Sequence, residues 1–265
     1  MFCNIYFGGI FTDKKKLINL IILIIAIIVF LVCGVMLVIH LLPEKENFDK
    51  YKNNSSTENS SSAEVAELPD NPIDFNALTA ENGDAVGWLQ VDGTAIDYPV
   101  FRSGLNTPED FYLNHDRYKK SKLAGSIYVQ QVNSGDFTDP NTVVYGHNMR
   151  NGSMFGTLKK FRNTSFFNEN RYITVYTMGH ILKYEIFSAF VFDDRHIVNS
   201  YDFYNTESYQ SFLDICKNPI SVSKNVLKDA SVSTDDKIIT LSTCTSAETE
   251  RYLVVGVLRS DTKTK

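Results

Sequence analysis

The chain has 265 residues, a net charge of −5 and a hydrophobic content of 43%. This length allows one domain of ordinary size with accessory segments, and the apolar fraction is sufficient for a buried core. The acidic balance, without a long basic run, argues against nucleic acid as a partner because binding a phosphate backbone requires a concentrated positive surface.

An apolar segment runs from Leu17 to Ile39, and Asn19 is its only clearly polar side chain. A helix over this segment is about 35 Å long, enough to cross a hydrocarbon core of about 30 Å. A cleaved signal peptide is the alternative, although its apolar region usually spans about 7–15 residues. We predict a transmembrane signal-anchor over 17–42.

The charges on either side of this segment predict its orientation. Three lysines, Lys14 to Lys16, precede the segment, whereas no cationic excess follows it. The positive-inside rule therefore places residues 1–16 in the cytoplasm and the chain after about Pro43 outside the cell. The predicted localisation is the cell membrane, as a single-pass type II protein.

Residues 43–70 are predicted to form a flexible stalk, because Glu, Asn, Ser and Lys dominate the segment and cannot bury a core. A folded domain is predicted over 71–265. It begins with a short helix predicted from Phe75 to Val86, and Trp88 is its first large aromatic anchor.

From Trp88 onwards, segments rich in β-branched and aromatic residues alternate with Gly, Asn and Asp turns, which predicts strands. The clearest strands are predicted at 125–130, 142–145, 172–176, 181–192, 237–241 and 251–259. Strands this numerous at short spacing favour a mainly β fold, an antiparallel barrel or sandwich, over alternating βαβ units.

The connection between the strands predicted at 181–192 and 237–241 is too long for a bare loop. Apolar residues recur in it at helical spacing, namely Tyr209, Phe212, Leu213 and Cys216. This pattern predicts a helix from Glu207 to Lys217 and a buried position for Cys216. A disulfide between Cys216 and Cys244, or a redox role, is the alternative.

Cys244 ends an apolar strand and is followed by the polar run 245–250. The end of a strand holds a thiol rigidly and leaves it open to substrate, and the thiolate is the reactive form of cysteine. We therefore consider Cys244 a candidate nucleophile. Taken alone, a cysteine at a strand end is weak evidence for catalysis.

His147 ends a second apolar strand, directly after Gly146. If both strands belong to one sheet, the imidazole and the thiol converge at one rim and can share a proton. Arg251 opens the strand after Cys244, so a hairpin would return its guanidinium to the cysteine, where it can stabilise an oxyanion. Arg259, its nearest rival, lies about 26 Å further along the same strand.

These candidates lie in short sequence motifs that match those of a known family. Thr240 to Cys244 reads TLSTC, Tyr145 to Asn148 reads YGHN, and Arg251 opens the strand after the cysteine. The chain resembles the sortases, in particular class B, over roughly Trp88 to Ser260. The resemblance implies an eight-stranded sortase-type β-barrel, an added N-terminal helix and a helix-bearing insertion before the cysteine strand.

The resemblance also implies a cysteine transpeptidase that cleaves an NPxTx-like C-terminal sorting motif of secreted proteins after its threonine. Cys244 would form a thioester, His147 would protonate the leaving amine, and Arg251 with the backbone N–H of Thr245 would hold the oxyanion. An amine of a peptidoglycan precursor would then release the surface protein attached to the cell wall. No metal or other cofactor is implied.

Four further residues look similar to family positions that line the substrate groove. They are Ser242, Leu113, Ile197 and Asn106, of which Asn106 stands further upstream of its neighbours than in class B relatives. Two other functions stay open. One is a cell-wall cysteine peptidase that only hydrolyses its substrate, and the other is a membrane-tethered binding module in which Cys244 is inert.

Overall fold

The computed structural model of the chain describes residues 14–41, 48–53, 68–245 and 249–265. The chain divides into two compact units, residues 1–46 and 47–265. In the first unit, helix α1 spans Lys14–Leu41. Its segment Leu17–Met36 is apolar, has no buried residue, and is long enough to cross a membrane. The predicted N-terminal helix is therefore present, and its membrane boundaries and orientation stay predictions.

The second unit begins with a short segment, residues 48–53, that packs onto the domain. Tyr51 in its 3-10 turn is only 1% exposed, and Lys52 forms an antiparallel bridge with Ile73. Asn53 donates its backbone N–H to the carbonyl of Pro72 at 2.8 Å. The predicted flexible stalk is therefore wrong over residues 48–53, because aromatic burial and main-chain bonding hold them in place. Residues 42–47 and 54–67 lie outside the described residues.

Helix α2 spans Phe75–Glu81, and the Asp74 carboxylate caps it by accepting the backbone N–H of Ala77. The sequence predicted this helix to continue to Val86. The structure ends it at Glu81 because residues from Ala85 onwards pair as a strand with the next strand of the sheet. Strand pairing therefore begins at Ala85, four residues after the end of the helix.

Nine strands follow α2 within the described part of the chain. They are β1 (Ala85–Val91), β2 (Asp97–Arg102), β3 (Ile127–Val129), β4 (Asn141–Tyr145), β5 (Tyr172–Thr177), β6 (His180–Asp193), β7 (Lys224–Val226), β8 (Ile238–Cys244) and β9 (Glu250–Lys263). Their order in the sheet is β5-β1-β2-β3-β4-β8-β9-β6-β7, and an additional β5–β6 pairing closes the ring. Eight strands therefore form a closed barrel, as the resemblance implied, and β7 is a ninth strand added outside it on β6.

Among the residues that the structure describes, three further α-helices lie between the strands. They are α3 (Thr164–Glu169), α4 (Ile197–Ser200) and α5 (Thr206–Lys217). The helix predicted at 207–217 is confirmed as α5. It begins at the Asn205 cap, whose side chain accepts the backbone N–H of Ser208.

The barrel interior and the underside of α5 form two separate hydrophobic clusters. Leu89, Val144 and Leu241 lie in the cluster inside the barrel. The second cluster packs Phe212 and Cys216 of α5 with residues of the barrel wall. Amphipathic spacing therefore docks the inserted helix on the outside of the barrel, as expected for a helix with one apolar face.

Candidate active site

The catalytic candidates lie at neighbouring strand ends on one rim of the barrel. Strands β4 and β8 are parallel neighbours, and their last paired residues are Tyr145 and Ser242. His147 and Cys244 each follow two residues after these partners. The parallel register therefore brings the histidine and the cysteine to the same end of the sheet.

Arg251 reaches the same rim from the other side of β8. Cys244 and Arg251 are direct cross-strand partners in the antiparallel β8–β9 pair. Side chains of directly opposed residues project from the same face of a sheet, with their Cβ atoms about 4.5–5.5 Å apart. The structure thus brings together the three residues that the sequence analysis selected, one from each of three adjacent strand segments.

Cys244 has the exposure that a nucleophile requires. Its side chain is exposed and its thiol is free, while His147 and Arg251 are half-buried. Cys216 is also a free thiol, but it is fully buried in the cluster under α5. The alternative of a disulfide between the two is therefore wrong, and the predicted burial of Cys216 is confirmed. Burial raises the pKa of the Cys216 thiol far above its ordinary range.

The orientation of the His147 ring is set by a backbone carbonyl. Its Nε2 lies 2.9 Å from the carbonyl oxygen of Leu113. A carbonyl can only accept, so this bond requires the proton on Nε2 and leaves Nδ1 as the acceptor of a neutral imidazole. Leu113, predicted from the resemblance as a groove residue, therefore contacts the site through its main chain.

The turn that carries His147 is tightly packed. A side chain at Gly146 would require its neighbours to shift, because a Cβ there would lie 2.4 Å from Cδ1 of Ile127 and 3.0 Å from Cδ2 of Phe155. After the histidine, the backbone N–H of Phe155 donates to the His147 carbonyl at 2.9 Å. Met154, just before it, has a φ of +50°, which non-glycine residues adopt only in special turns. These contacts fix where the chain leaves β4.

The two groups expected to hold an oxyanion share one acceptor. The carbonyl oxygen of Glu250 accepts the backbone N–H of Thr245 at 3.2 Å and Nη1 of Arg251 at 3.2 Å. Thr245 was predicted from the resemblance to offer this N–H to substrate. In the structure this N–H is bonded within the β8–β9 hairpin, because Thr245 and Glu250 continue the pairing beyond Cys244 and Arg251, and its role toward substrate stays a prediction.

A stack of three rings extends from the barrel wall beside the site. Tyr128 and Tyr145 are stacked with centroids 5.5 Å apart, and Tyr145 stacks on His196 at 6.1 Å. Burial is the main cause that raises the pKa of the Tyr128 hydroxyl above its ordinary range. Buried polar atoms without a hydrogen-bond partner among the described residues include the Tyr145 hydroxyl and Nδ1 of His196.

Sequence reasoning missed this ring stack. Tyr145 belongs to the YGHN motif around His147, and Tyr128 lies in a strand. Neither sequence position shows that the two strands are neighbours and place the two rings face to face. His196 stands in a polar stretch of the sequence, where exposure is the default expectation. Only the path of the chain after β6 brings its ring onto Tyr145.

The four residues predicted to line the substrate groove have different environments. Ser242 and Ile197 are buried, with exposed fractions of 3% and 2%. Leu113 is half-buried and Asn106 is exposed in the loop after β2. Their contacts with a substrate stay predictions.

Comparison with known proteins identifies the architecture. A family model described as Sortase domain matches residues 89–259. Sortase B of Listeria monocytogenes is 34% identical over 186 residues, covering 67% of this chain and 70% of that protein. Sortase B of Staphylococcus aureus is 32% identical over 183 residues, covering 68% and 72%.

Solved structures agree with the sequence comparisons. Clostridium perfringens sortase B has a TM-score of 0.62 and 35% identity, covering 70% of this chain and 99% of that chain. A complex of Staphylococcus aureus sortase B with substrate has a TM-score of 0.61 and 31% identity, covering 71% and 85%. The chain therefore belongs to the sortase family, where its relatives are class B enzymes, and it is a cysteine transpeptidase.

Proposed function

We propose that Cys244, His147 and Arg251 carry out transpeptidation at the barrel rim. The observation that supports this assignment is their register. Cys244 and Arg251 are paired across β8 and β9, and the parallel β4–β8 pair brings His147 to the same end. Each residue type also fits its role, since nucleophilic acyl transfer requires a nucleophile, a proton carrier and an oxyanion donor.

The first half-reaction breaks a peptide bond. The Cys244 thiolate attacks the carbonyl carbon of the threonine in a sorting motif, and the carbonyl oxygen becomes an oxyanion. His147 in its protonated form then gives a proton to the departing amine, and the C–N bond breaks to leave a thioester. Because Nε2 is held by the Leu113 carbonyl, Nδ1 is the nitrogen that exchanges this proton.

In the second half-reaction an amine attacks the thioester. The neutral imidazole of His147 takes up the proton of the attacking amine, and the Cys244 thiolate leaves. The product is a new amide bond between the surface protein and the acceptor. One solved sortase B structure, 32% identical to this chain, is a complex with triglycine, a peptide that carries a free amine. We propose that the acceptor here is an amine of a peptidoglycan precursor peptide.

Arg251 and the N–H of Thr245 stabilise the oxyanion in this proposal. Both donors bond to the Glu250 carbonyl in the structure. The substrate oxygen therefore replaces that carbonyl as their acceptor, which exchanges one bonded oxygen for another. A guanidinium is well suited to this exchange because it keeps its charge at any working pH and offers several donors in one plane.

The substrate is proposed to be an NPxTx-like sorting motif of secreted surface proteins. Its binding groove would be lined by Ser242, Leu113, Ile197 and Asn106. The first three belong to segments that adjoin the catalytic candidates in the fold or the chain, namely β8, the turn that bonds His147, and the start of α4 after β6. Asn106 is proposed on its sequence position alone.

The enzyme is proposed to work outside the cell, anchored by α1 as a single-pass type II membrane protein. Lysines at 14–16 precede the apolar segment, and the positive-inside rule then leaves the catalytic domain on the extracellular side. This location also supplies the proposed substrates, which are secreted proteins and wall precursors.

A peptide-cleavage assay tests the assignment. The full-length protein is incubated with a panel of fluorogenic pentapeptides built on an NPxTx-like pattern, with and without an amine-bearing wall peptide. We expect Cys244→Ala to abolish turnover and Cys216→Ala to leave it largely intact. We also expect the amine to convert the product from the free acid to an amide, detected by mass. Turnover by the Cys244→Ala variant would refute the site, and a product that stays the free acid would favour the hydrolytic peptidase.

A further inference from the structure

We infer that Thr243 and Asn148 are positioning residues, whose side chains hold the strand end with His147 in register with the strand end of Cys244. This inference rests on the catalytic roles proposed above for those two residues. It concerns the residues that follow the last pair of the β4–β8 ladder, where the catalytic candidates His147 and Cys244 lie.

Main-chain pairing alone does not reach the catalytic candidates. The last ladder pair is Tyr145 with Ser242, and the next backbone bond, from Gly146 N–H to the Ser242 carbonyl, is long at 3.3 Å. Beyond this point no further main-chain bond joins the two strand ends within the part of the chain that the structure describes. The relative position of His147 and Cys244 therefore depends on other contacts.

Thr243 supplies the first of these contacts. Its hydroxyl Oγ1 donates to the Gly146 carbonyl at 2.7 Å, and the bond is buried. That carbonyl belongs to the peptide group that leads into His147, so the bond fixes the orientation of this peptide plane. Removal of the hydroxyl would leave the Gly146 carbonyl without this partner, a condition that buried polar groups avoid.

Asn148 supplies the second contact, on the other side of the histidine. Its side-chain Nδ2 donates to the Cys244 carbonyl at 2.9 Å. The residues before and after His147 are thus tied to Thr243 and Cys244 respectively. Two side-chain bonds continue the sheet pairing where the backbone bonds stop, and together they restrain the separation of the imidazole and the thiol.

The expected consequence is on the rate of the chemical steps. Proton exchange between a thiol and an imidazole requires hydrogen-bond distance, and a misplacement of about 1 Å can reduce a rate about 100-fold. Substrate binding should change little, because neither side chain needs to contact the sorting motif for this role. Loss of the positioning bonds should therefore lower kcat much more than it alters KM.

The test compares two isosteric substitutions on one strand of the full-length protein. Thr243→Val removes the hydroxyl that bonds to Gly146, while Thr240→Val removes another buried hydroxyl, which donates to Oδ1 of Asn141 at 2.9 Å. Thr243→Ser keeps the hydroxyl and serves as the conservative variant. kcat and KM are measured with a fluorogenic sorting peptide across a range of pH, and thermal unfolding is measured in parallel.

We expect Thr243→Val to lower kcat by about 10-fold to 100-fold with a changed pH–rate profile. Thr240→Val should lose comparable thermal stability while its kcat and pH–rate profile stay close to those of the unmodified protein. Thr243→Ser should recover most of the lost kcat. Asn148→Ala should also lower kcat, and the double variant should lose less than the product of the two single losses, since both bonds restrain one displacement.

Two results would overturn the inference: equal kcat in the Thr243→Val and Thr240→Val variants, or a Thr243→Ser variant as slow as Thr243→Val. The Cys244→Ala variant is assayed beside them. If it turns over peptide, the catalytic assignment itself is wrong. If it is inactive and Thr243→Val behaves like Thr240→Val, only the positioning role is wrong.

Discussion

His147 donates a hydrogen bond from Nε2 to the Leu113 carbonyl at 2.9 Å, so a residue 34 positions upstream fixes the ring of the proposed proton carrier. Leu113 ends a 3-10 turn, Phe111–Leu113. The Phe111 ring stacks on His115 with centroids 3.8 Å apart, and His115 Nδ1 lies 2.7 Å from the Phe111 carbonyl. The turn that holds the His147 ring is therefore itself held by a ring stack.

Phe111→Ala is expected to loosen this turn and to lower kcat by about tenfold, because the carbonyl that orients the His147 ring loses its support. Steady-state kinetics with a sorting peptide measures the effect. Leu123→Ala is the control, since Leu123 is 84% exposed and belongs to no packed cluster named above. Unchanged kcat in Phe111→Ala would show that the Leu113 carbonyl is positioned without the stack.

Arg251→Lys is expected to reduce kcat/KM by about 10²–10³-fold, the range seen when one oxyanion donor is removed. A lysine keeps the charge but lacks the planar fork of donors. Peptide turnover in the presence of the acceptor amine measures the loss. Arg259→Lys is the matched control on β9, because Arg259 bonds to Glu185 rather than to the rim. A comparable loss in both variants would argue against a specific role of Arg251.

Thiol labelling should distinguish the two cysteines of the domain. Cys244 is exposed, whereas Cys216 is fully buried and burial raises the pKa of its thiol, so Cys216 stays protonated. We expect a thiol-reactive probe to modify Cys244 in the native protein and to reach Cys216 only after denaturation. Mass spectrometry of the labelled peptides measures both. Equal, slow labelling of the two cysteines would instead favour the non-catalytic binding module.

The packing of residues 48–53 is expected to stabilise the catalytic domain. The Phe48 ring packs edge-on against Trp88 at 5.6 Å, and Tyr51 is almost completely buried. Replacing a buried aromatic side chain with alanine typically costs about 3–5 kcal/mol. We therefore expect Tyr51→Ala to lower the Tm by several degrees in thermal unfolding. Tyr204→Ala, at an exposed aromatic residue, is the comparison; an equal Tm change would contradict the proposed contribution.

Acid should weaken the contacts of the same segment. Burial opposes ionisation of Asp97, but hydrogen bonds from Lys52, Trp88 and Gln90 prevail and hold the pKa of its carboxyl below the ordinary 3.8. Since the folded pKa is the lower one, this stabilisation is present above the unfolded pKa and is lost as pH falls through the folded value. We expect the free energy of unfolding to decrease below about pH 4, and Asp97→Asn to reduce that dependence. An unchanged dependence in this variant would place the acid sensitivity elsewhere.

The sequence by itself determined the local features of this protein. These features are the apolar length of α1, the helical spacing in α5 and the short motifs around His147 and Cys244. All of them can be recognised from neighbouring residues, because they depend on local periodicity and side-chain chemistry. The resemblance carried by those motifs also predicted the eight-stranded barrel. Residue patterns alone left a barrel and a sandwich open.

Only the tertiary structure decided which distant segments meet. Strands β1, β2 and β7 were not predicted, because their pairing depends on partners elsewhere in the sheet and not on their own pattern alone. The same reason applies to three contacts between distant segments. Tyr51 packs into a cluster with Trp88, the Leu113 carbonyl bonds to His147, and Thr245 and Arg251 share the Glu250 carbonyl. Main-chain groups look identical in any sequence, so which of them reaches the site is decided only when the chain closes into the barrel.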